Sequence, residues 1–319
     1  MSKKTKSCCG PECCSEAKPA TQVADQDVHR DQVRAGYTKI ANDGWWSAAL
    51  ADANVAANSK PFTGAKSSCA GGGCCGPATF TPQQLAEAIG YAQADLVATP
   101  DNANMGLSCG NPTAIASLEL GEVVIDLGSG GGFDCFVAGP KVGASGRVIG
   151  VDMTPEMLTK ARANIAEYTK HSGLQNVEFR LGEIEHLPVA DASADVIISN
   201  CVLNLSPDKA GVWGEIARVL KPGGRVAVSD LALLRPLPPS VLSDVEALVG
   251  CVAGAVLVSE TREQMQTAGF REIVLTSKPH YIDAMTDWQD PLYQKIIAAL
   301  PAGTKPSDFI TSLDISAKK

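Results

Sequence analysis

Three cysteines sit in small or apolar settings: Cys109 in Gly-Leu-Ser-Cys-Gly, Cys201 in Ser-Asn-Cys-Val-Leu-Asn-Leu, and Cys251 in Val-Gly-Cys-Val-Ala-Gly. Thiolates are soft donors and select soft, thiophilic atoms over hard cations. Between the first two lies a second chemical pattern, Val-Ile-Asp126-Leu-Gly128-Ser129-Gly130-Gly-Gly132-Phe-Asp. A strand that runs into a glycine turn and opens a helix brings backbone close to a ligand and offers it the partial positive charge of a helix start. A second apolar run ends in Val151-Asp152, 26 residues after Asp126. That spacing puts a carboxylate where it can grip two ribose hydroxyls, which implies a nucleoside cofactor. Nicotinamide and S-adenosylmethionine sites share this layout. A carboxylate at Asp126, beside the turn, would repel a pyrophosphate but can accept hydrogen bonds at an amino-acid end, which favours the methyl donor. A group donor beside a trap for soft elements points to group transfer to such an element.

These residues need a frame. From Glu122 onward apolar runs alternate with helical patterns, the sign of an α/β fold with a parallel sheet. The strand candidates are 123–127, 147–151, 177–181, 196–199 and 225–230, with helices near 132–141, 155–171 and 207–220, the last capped by Ser206-Pro207 and stopped before Pro222-Gly223-Gly224. After a proline-rich turn, Val241, Val245, Leu248 and Val249 predict one helix that ends near Gly250-Cys251. A helix from Thr261 and a strand over 272–276 should finish the sheet, and beyond Pro279 the pattern supports only a helix over 291–300. Upstream, Val33, Tyr37, Ile40 and Ala41 form one face of a helix over 25–41, and Thr81-Pro82 opens another that runs to about Gly90. Residues 1–24 read as a flexible Cys-rich tail. Residues 58–78, rich in Gly and Ser and carrying Cys69, Cys74 and Cys75, read as a mobile loop. The organisation expected is the tail at 1–24, a lid with the Cys loop at 25–120, a cofactor-binding domain at 121–235 and a C-terminal lobe at 236–319.

The net charge of -8 at pH 7, with no basic block interleaved with aromatics, argues against nucleic acid as a substrate. The start is polar and no long apolar run appears, so a cytoplasmic protein with no membrane partner is expected. Eleven cysteines in such a chain fit ligand or redox thiols better than a structural disulfide framework. Cys135, on the helix after the glycine turn, reads as packed core, and His171 as a helix C-terminal residue favoured by the helix dipole. The adjacent pairs Cys8-Cys9 and Cys13-Cys14 lack the spacing of a zinc finger, and a metal-capturing tail and a dispensable one both stay open.

The chain resembles the arsenite S-adenosylmethionine methyltransferases. The matching runs include Val-Arg-Ala-Gly-Tyr-Thr-Lys-Ile-Ala, Asn-Met-Gly-Leu-Ser-Cys-Gly-Asn-Pro, Asp-Leu-Gly-Ser-Gly-Gly-Gly-Phe-Asp-Cys, Ile-Ser-Asn-Cys-Val-Leu-Asn-Leu-Ser-Pro-Asp-Lys and Gly-Cys-Val-Ala-Gly-Ala, spread over roughly residues 33–270. The resemblance implies a Rossmann-like class I S-adenosylmethionine methyltransferase sheet. It implies trivalent arsenic on Cys109, Cys201 and Cys251, and a fourth thiol from the loop, first choice Cys69, in the first methylation and in thiol exchange. It further implies cofactor contacts from Tyr37, Asp126, Gly128, Ser129, Gly130, Asp152, Met153, Glu183, Ile184 and Asn200. The chain departs from the family at two places: Leu107-Ser108 stands where some members carry two aromatics, and Gly250 where an acidic residue often precedes the third cysteine.

Arsenic on three thiolates would be pyramidal, with a lone pair on its open side that can attack a sulfonium methyl in line. The enzyme's task is then placement, worth roughly 7 to 11 kcal/mol, and no general base is needed. Arsenite and methylated arsenicals are the expected substrates, with small thiols or a thioredoxin-type reductant resetting disulfides between rounds. Two other readings are a non-catalytic protein that sequesters or senses arsenic, and a methyltransferase for a small organic acceptor with incidental thiols.

Overall fold

A computed structural model describes residues 20–43, 81–287 and 290–319. The expectations for the four tail cysteines and for Cys69, Cys74 and Cys75 lie outside the described residues. The first helix, α1 (Ala20–Asp43), starts earlier than the pattern suggested and buries the expected face, Val33, Ile40 and Ala41. Helix α2 (Pro82–Ala88) opens at Thr81, whose hydroxyl accepts from the Gln84 amide while the Gln84 side chain accepts from the Thr81 amide. This reciprocal cap satisfies two N–H groups that the first turn leaves free. Two short helices, α3 (Gln93–Ala98) and α4 (Pro112–Ala116), lead into the sheet.

The alternating region folds as β1 (Val123–Leu127), α5 (Phe133–Val142), β2 (Arg147–Asp152), α6 (Pro155–Ser172), β3 (Val177–Leu181), β4 (Ala194–Asn200), α7 (Lys209–Val219) and β5 (Leu220–Leu233). The strands follow the expected positions because fully buried parallel strands are continuous apolar runs, legible without tertiary information. The N-cap of α7 differs. Asp208, not Ser206, accepts from the Gly211 amide, and Ser206 Oγ instead accepts from the Asp208 amide. A carboxylate three residues before a free amide is the stronger acceptor for that position.

The C-terminal region departs further. The helix expected across 241–249 is two, α8 (Pro239–Leu242) and α9 (Val245–Val249), because Asp244 turns out of helix and caps the second by accepting from the Ala247 amide. Then come α10 (Val258–Thr267), β6 (Arg271–Lys278), α11 (His280–Asp287), α12 (Pro291–Ala299) and β7 (Ile310–Lys318). The sheet order is β3-β2-β1-β4-β5-β7-β6, so β6 does not adjoin β5 and β7, antiparallel to both neighbours, lies between them. The sequence reading missed β7 because its polar residues are buried too. Leu313, Ile315 and Ala317 alternate with Ser312 and Asp314, which are buried and hydrogen-bonded rather than turned to water. Among the described residues no helix is long and apolar enough to cross a membrane.

Candidate functional site

At the C-terminal edge of β1 the chain turns through Gly128 and Gly130, at φ +66° and +50°, and starts α5 from Gly132. The left-handed backbone favours glycine there, and a Cβ on Gly128 would lie 2.4 Å from Val202 Cγ2. The turn is fastened to β2 where the Gly128 and Ser129 amides donate to Val151 O, at 2.7 and 3.0 Å. Asp152, at the end of β2, is buried and accepts from the Gly130 amide at 2.9 Å and the Thr154 amide at 2.8 Å. Burial raises its pKa, and those two amides pull it back.

Beside the turn opens a cleft of about 670 Å³. Tyr37, Gly128, Gly130, Asp152, Met153, Ile184 and Asn200 line it, and Cys201 stands in its wall. Asp126 and Ser129 line an adjoining cavity that shares Gly128, Gly130 and Asn200. Glu183 does not line the cleft: its carboxylate lies 3.5 Å from both Arg30 and Arg34 of α1. Glu185, which sequence reasoning did not single out, lines the cleft instead and accepts from Ser206 Oγ at 2.6 Å.

The groups in the adjoining cavity form one buried network. Asp134 accepts from Tyr91 OH at 2.6 Å and Asn200 Nδ2 at 3.1 Å, and burial pushes its pKa up to about 6 while these two donors pull it down. Asp126, buried and facing Asp134, is pushed well above the usual carboxylate range, the Cys135 thiol donating to it at 3.2 Å. Cys135 is fully buried, as its packed-core reading requires. Ser129 Oγ is buried without a hydrogen-bond partner among the described residues. An orphaned hydroxyl, a glycine turn with no room for side chains and a carboxylate at the second strand end together fit a polar nucleoside cofactor with an amino-acid tail.

The three singled-out cysteines meet beside this cleft. Cys109 and Cys201 form a disulfide with Cα atoms 5.9 Å apart, where free thiols were expected. Two buried cysteines held this close can be bridged without backbone movement. Cys251 is a free, buried thiol that donates to Cys201 O at 2.7 Å. Each residue is held by its surroundings. The Cys109 amide donates to Asn200 Oδ1 at 3.1 Å, and Ser312 Oγ, from β7, donates to Cys109 O at 2.7 Å. Cys201 follows β4 with φ +56° and donates its amide to Ser229 O at 2.8 Å. Cys251 has φ +62°. Left-handed backbone at two non-glycine residues is strain of about 1 to 3 kcal/mol each, a cost that concentrates at functional sites. The glycines flanking Cys251 allow close packing. A Cβ at Gly250 would lie 2.4 Å from Leu292 Cδ2, and one at Gly254 only 2.0 Å from Asn204 O. Leu292 thus packs where a side chain at position 250 would begin.

Asp230, at the end region of β5, is the residue here that sequence reasoning passed over. One of its oxygens and the sulfurs of Cys109 and Cys201 all lie within 4.8 Å of one another. Its carboxylate accepts from Asn204 Nδ2 at 2.9 Å and the Leu231 amide at 2.8 Å, and burial pushes its pKa up to about 6. An acid at the C-terminal edge of a parallel strand was the available signal. Burial raises the Cys251 thiol well above its usual range and the charge of Asp230 adds to this, while a hydrogen bond from Tyr37 opposes it. A second cavity, of about 460 Å³, shares Tyr37, Leu107 and Cys201 with the cleft, carries Cys251 in its wall, and is closed by Tyr281, Met285, Asp290, Leu292 and Tyr293.

The chain is similar to known methyltransferases. Residues 118–288 match a family model described as a methyltransferase domain. The chain is 43% identical over 291 residues to an arsenite methyltransferase of Halobacterium salinarum, covering 90% of this chain and 70% of that one. It is 46% identical over 153 residues to the arsenite methyltransferase of Aquipseudomonas alcaligenes, covering 47% of this chain and 44% of that one. Among solved structures, an arsenic(III) S-adenosylmethionine methyltransferase from Chlamydomonas reinhardtii matches with a TM-score of 0.52 and 32% identity over 73% of this chain and 72% of that chain. The sheet is thus the Rossmann-like sheet of class I S-adenosylmethionine methyltransferases.

Proposed function

The chain belongs to the arsenite methyltransferase family and is an S-adenosylmethionine-dependent enzyme of that reaction, and from that premise we propose that Cys109, Cys201 and Cys251 together hold the trivalent arsenic. The observation that carries this is that Cys201, in the wall of both the cleft and the second cavity, is bridged to Cys109 and accepts at its carbonyl from the Cys251 thiol that lines the second cavity. The Cys109–Cys201 disulfide is the oxidised state of that ligand set. Two electrons from small thiols or a thioredoxin-type reductant open it to two thiols, the reductant leaving as a disulfide. A loop thiol, Cys69 first, with Cys74 and Cys75 as alternatives, takes part in the first methylation and in thiol exchange. Methylated arsenicals are substrates of the later rounds.

Asp152 holds the ribose hydroxyls of the cofactor. The turn Gly128-Ser129-Gly130 with Asp126 and Asn200 holds its amino-acid end, and Tyr37, Met153 and Ile184 complete the contacts. S-adenosylmethionine, when bound, supplies an electrophilic methyl group. The protein orients the arsenic: three sulfurs on one side leave its lone pair on the other, and no side chain need move a proton for that attack. Each thiol binds by exchange with an arsenic-bound hydroxyl. The S–H and As–O bonds break, the S–As and O–H bonds form, and water leaves.

Labelled methyl transfer from S-adenosylmethionine to arsenite, measured for the reduced native enzyme and for Cys201→Ser, tests the reading. Turnover by the native enzyme and none by the variant is expected. Arsenic binding without turnover by the native enzyme would support sequestration instead, and equal turnover by the variant would remove Cys201 from the ligand set.

A further inference from the structure

Tyr293 is 3% exposed, and its hydroxyl is buried without a hydrogen-bond partner among the described residues. Buried tyrosine hydroxyls ordinarily find a partner, so an orphan on a residue that lines a cavity calls for one that arrives. The titratable groups facing it are Tyr281, Asp290 and Cys251. Asp290 is already engaged, accepting from the Leu292 and Tyr293 amides at 2.9 and 3.3 Å at the start of α12. The remaining wall includes Leu107, Val249, Met285 and Leu292. Tyr293 therefore shares one chamber with the Cys251 thiol.

We infer that Tyr293 is a positioning residue that donates its phenolic hydrogen to the oxygen of a trivalent arsenic oxyacid as it meets Cys251. The inference rests on the reading of Cys251 as an arsenic ligand. Arsenite arrives as an uncharged trihydroxide. When the Cys251 thiol displaces one hydroxyl, the thiol proton leaves with that oxygen as water and the S–As bond replaces As–O. A donor fixed across the chamber holds the oxygen-bearing arsenic in register for this exchange and has nothing to bind once arsenic carries only sulfur and carbon.

The test compares two forms of arsenic with the native enzyme and Tyr293→Phe: free arsenite, with a thioredoxin-type reductant, and arsenic presented as its tris-glutathione complex, in which no oxygen is bonded to arsenic. The ratio of KM for free arsenite to KM for the complex should rise about tenfold in the variant, as loss of one hydrogen bond to a bound ligand predicts, with kcat for free arsenite changed by less than about twofold. Its melting temperature should be no lower than native, since the packing is kept and an unpartnered buried hydroxyl is removed. An unchanged ratio, or a rise in both KM values together, overturns the inference. Cys251→Ser separates the two levels. If that variant still binds arsenite as well as native, the ligand reading itself fails; if it does not, and Tyr293→Phe leaves the ratio unchanged, only the role of Tyr293 is lost.

Discussion

At the glycine turn the carboxylate of Asp152 is held by amides of its own neighbourhood, Gly130 and Thr154, whereas the pocket around Cys251 takes its walls from α1, residues 106–107, Cys201 after β4, α9 and the α11–α12 region. The two also differ in how charge is managed. In the cleft, backbone amides stand ready for the Asp152 carboxylate. In the pocket, burial and the carboxylate of Asp230 both keep the Cys251 thiol protonated. The carboxylate clamp at the glycine turn is finished when the β1–α5–β2 unit and the first turn of α6 have folded. A site assembled from five regions exists only after the whole chain has packed, and its thiol stays neutral until the substrate takes the place of its proton.

The comparison can be broken in four ways. The largest effect is expected from Cys251→Ser, which replaces a soft donor by a hard one and should lower arsenite methylation by at least about 10³-fold. Titration calorimetry should find S-adenosylmethionine affinity within about threefold of native, and a parallel loss of cofactor binding would mean that the two regions are one. Conversely, Asp152→Ala should weaken S-adenosylmethionine about 100-fold, the scale of losing charge-assisted hydrogen bonds to two hydroxyls. Arsenite binding without cofactor, followed by thiolate-to-arsenic absorbance, should be unaffected, and a matching loss there would refute the separation.

Gly128→Ala probes the seam. At φ +66°, with its new Cβ driven into Val202 next to Cys201, it should cost about 1 to 3 kcal/mol of stability in thermal melts and weaken both ligands. Intact arsenic binding in that variant would show that Val202 does not couple the two sides.

The smallest effect concerns pH. Asp230 titrates at about 6 in the folded protein against the usual 3.8, so the folded state holds that proton more tightly than the unfolded chain. The associated stability is fully present below the unfolded value and is lost as pH rises through about 6. Replacing it by Asn should therefore change the melting temperature least favourably near pH 4 and more favourably near pH 7.5, by a few degrees at most. A pH-independent difference between the two proteins would show that Asp230 keeps an ordinary pKa.

The sequence by itself determined the elements from β1 to β5, the glycine turn and the acid at the second strand end, because hydrophobic periodicity and turn chemistry act over a few neighbouring residues. It also showed which cysteines sit in small or apolar settings, Cys109, Cys201 and Cys251; that Gly250 and Gly254 pack against Leu292 and Asn204 beside Cys251 came from the tertiary structure. Only the tertiary structure decided that Cys109 and Cys201 are bridged, that Glu183 turns to α1 while Glu185 faces the cleft, and that β7 enters the sheet to hold Cys109 through Ser312. Those outcomes depend on groups separated by up to 203 residues, and a buried serine or aspartate satisfied by a distant partner reads locally like any exposed polar residue.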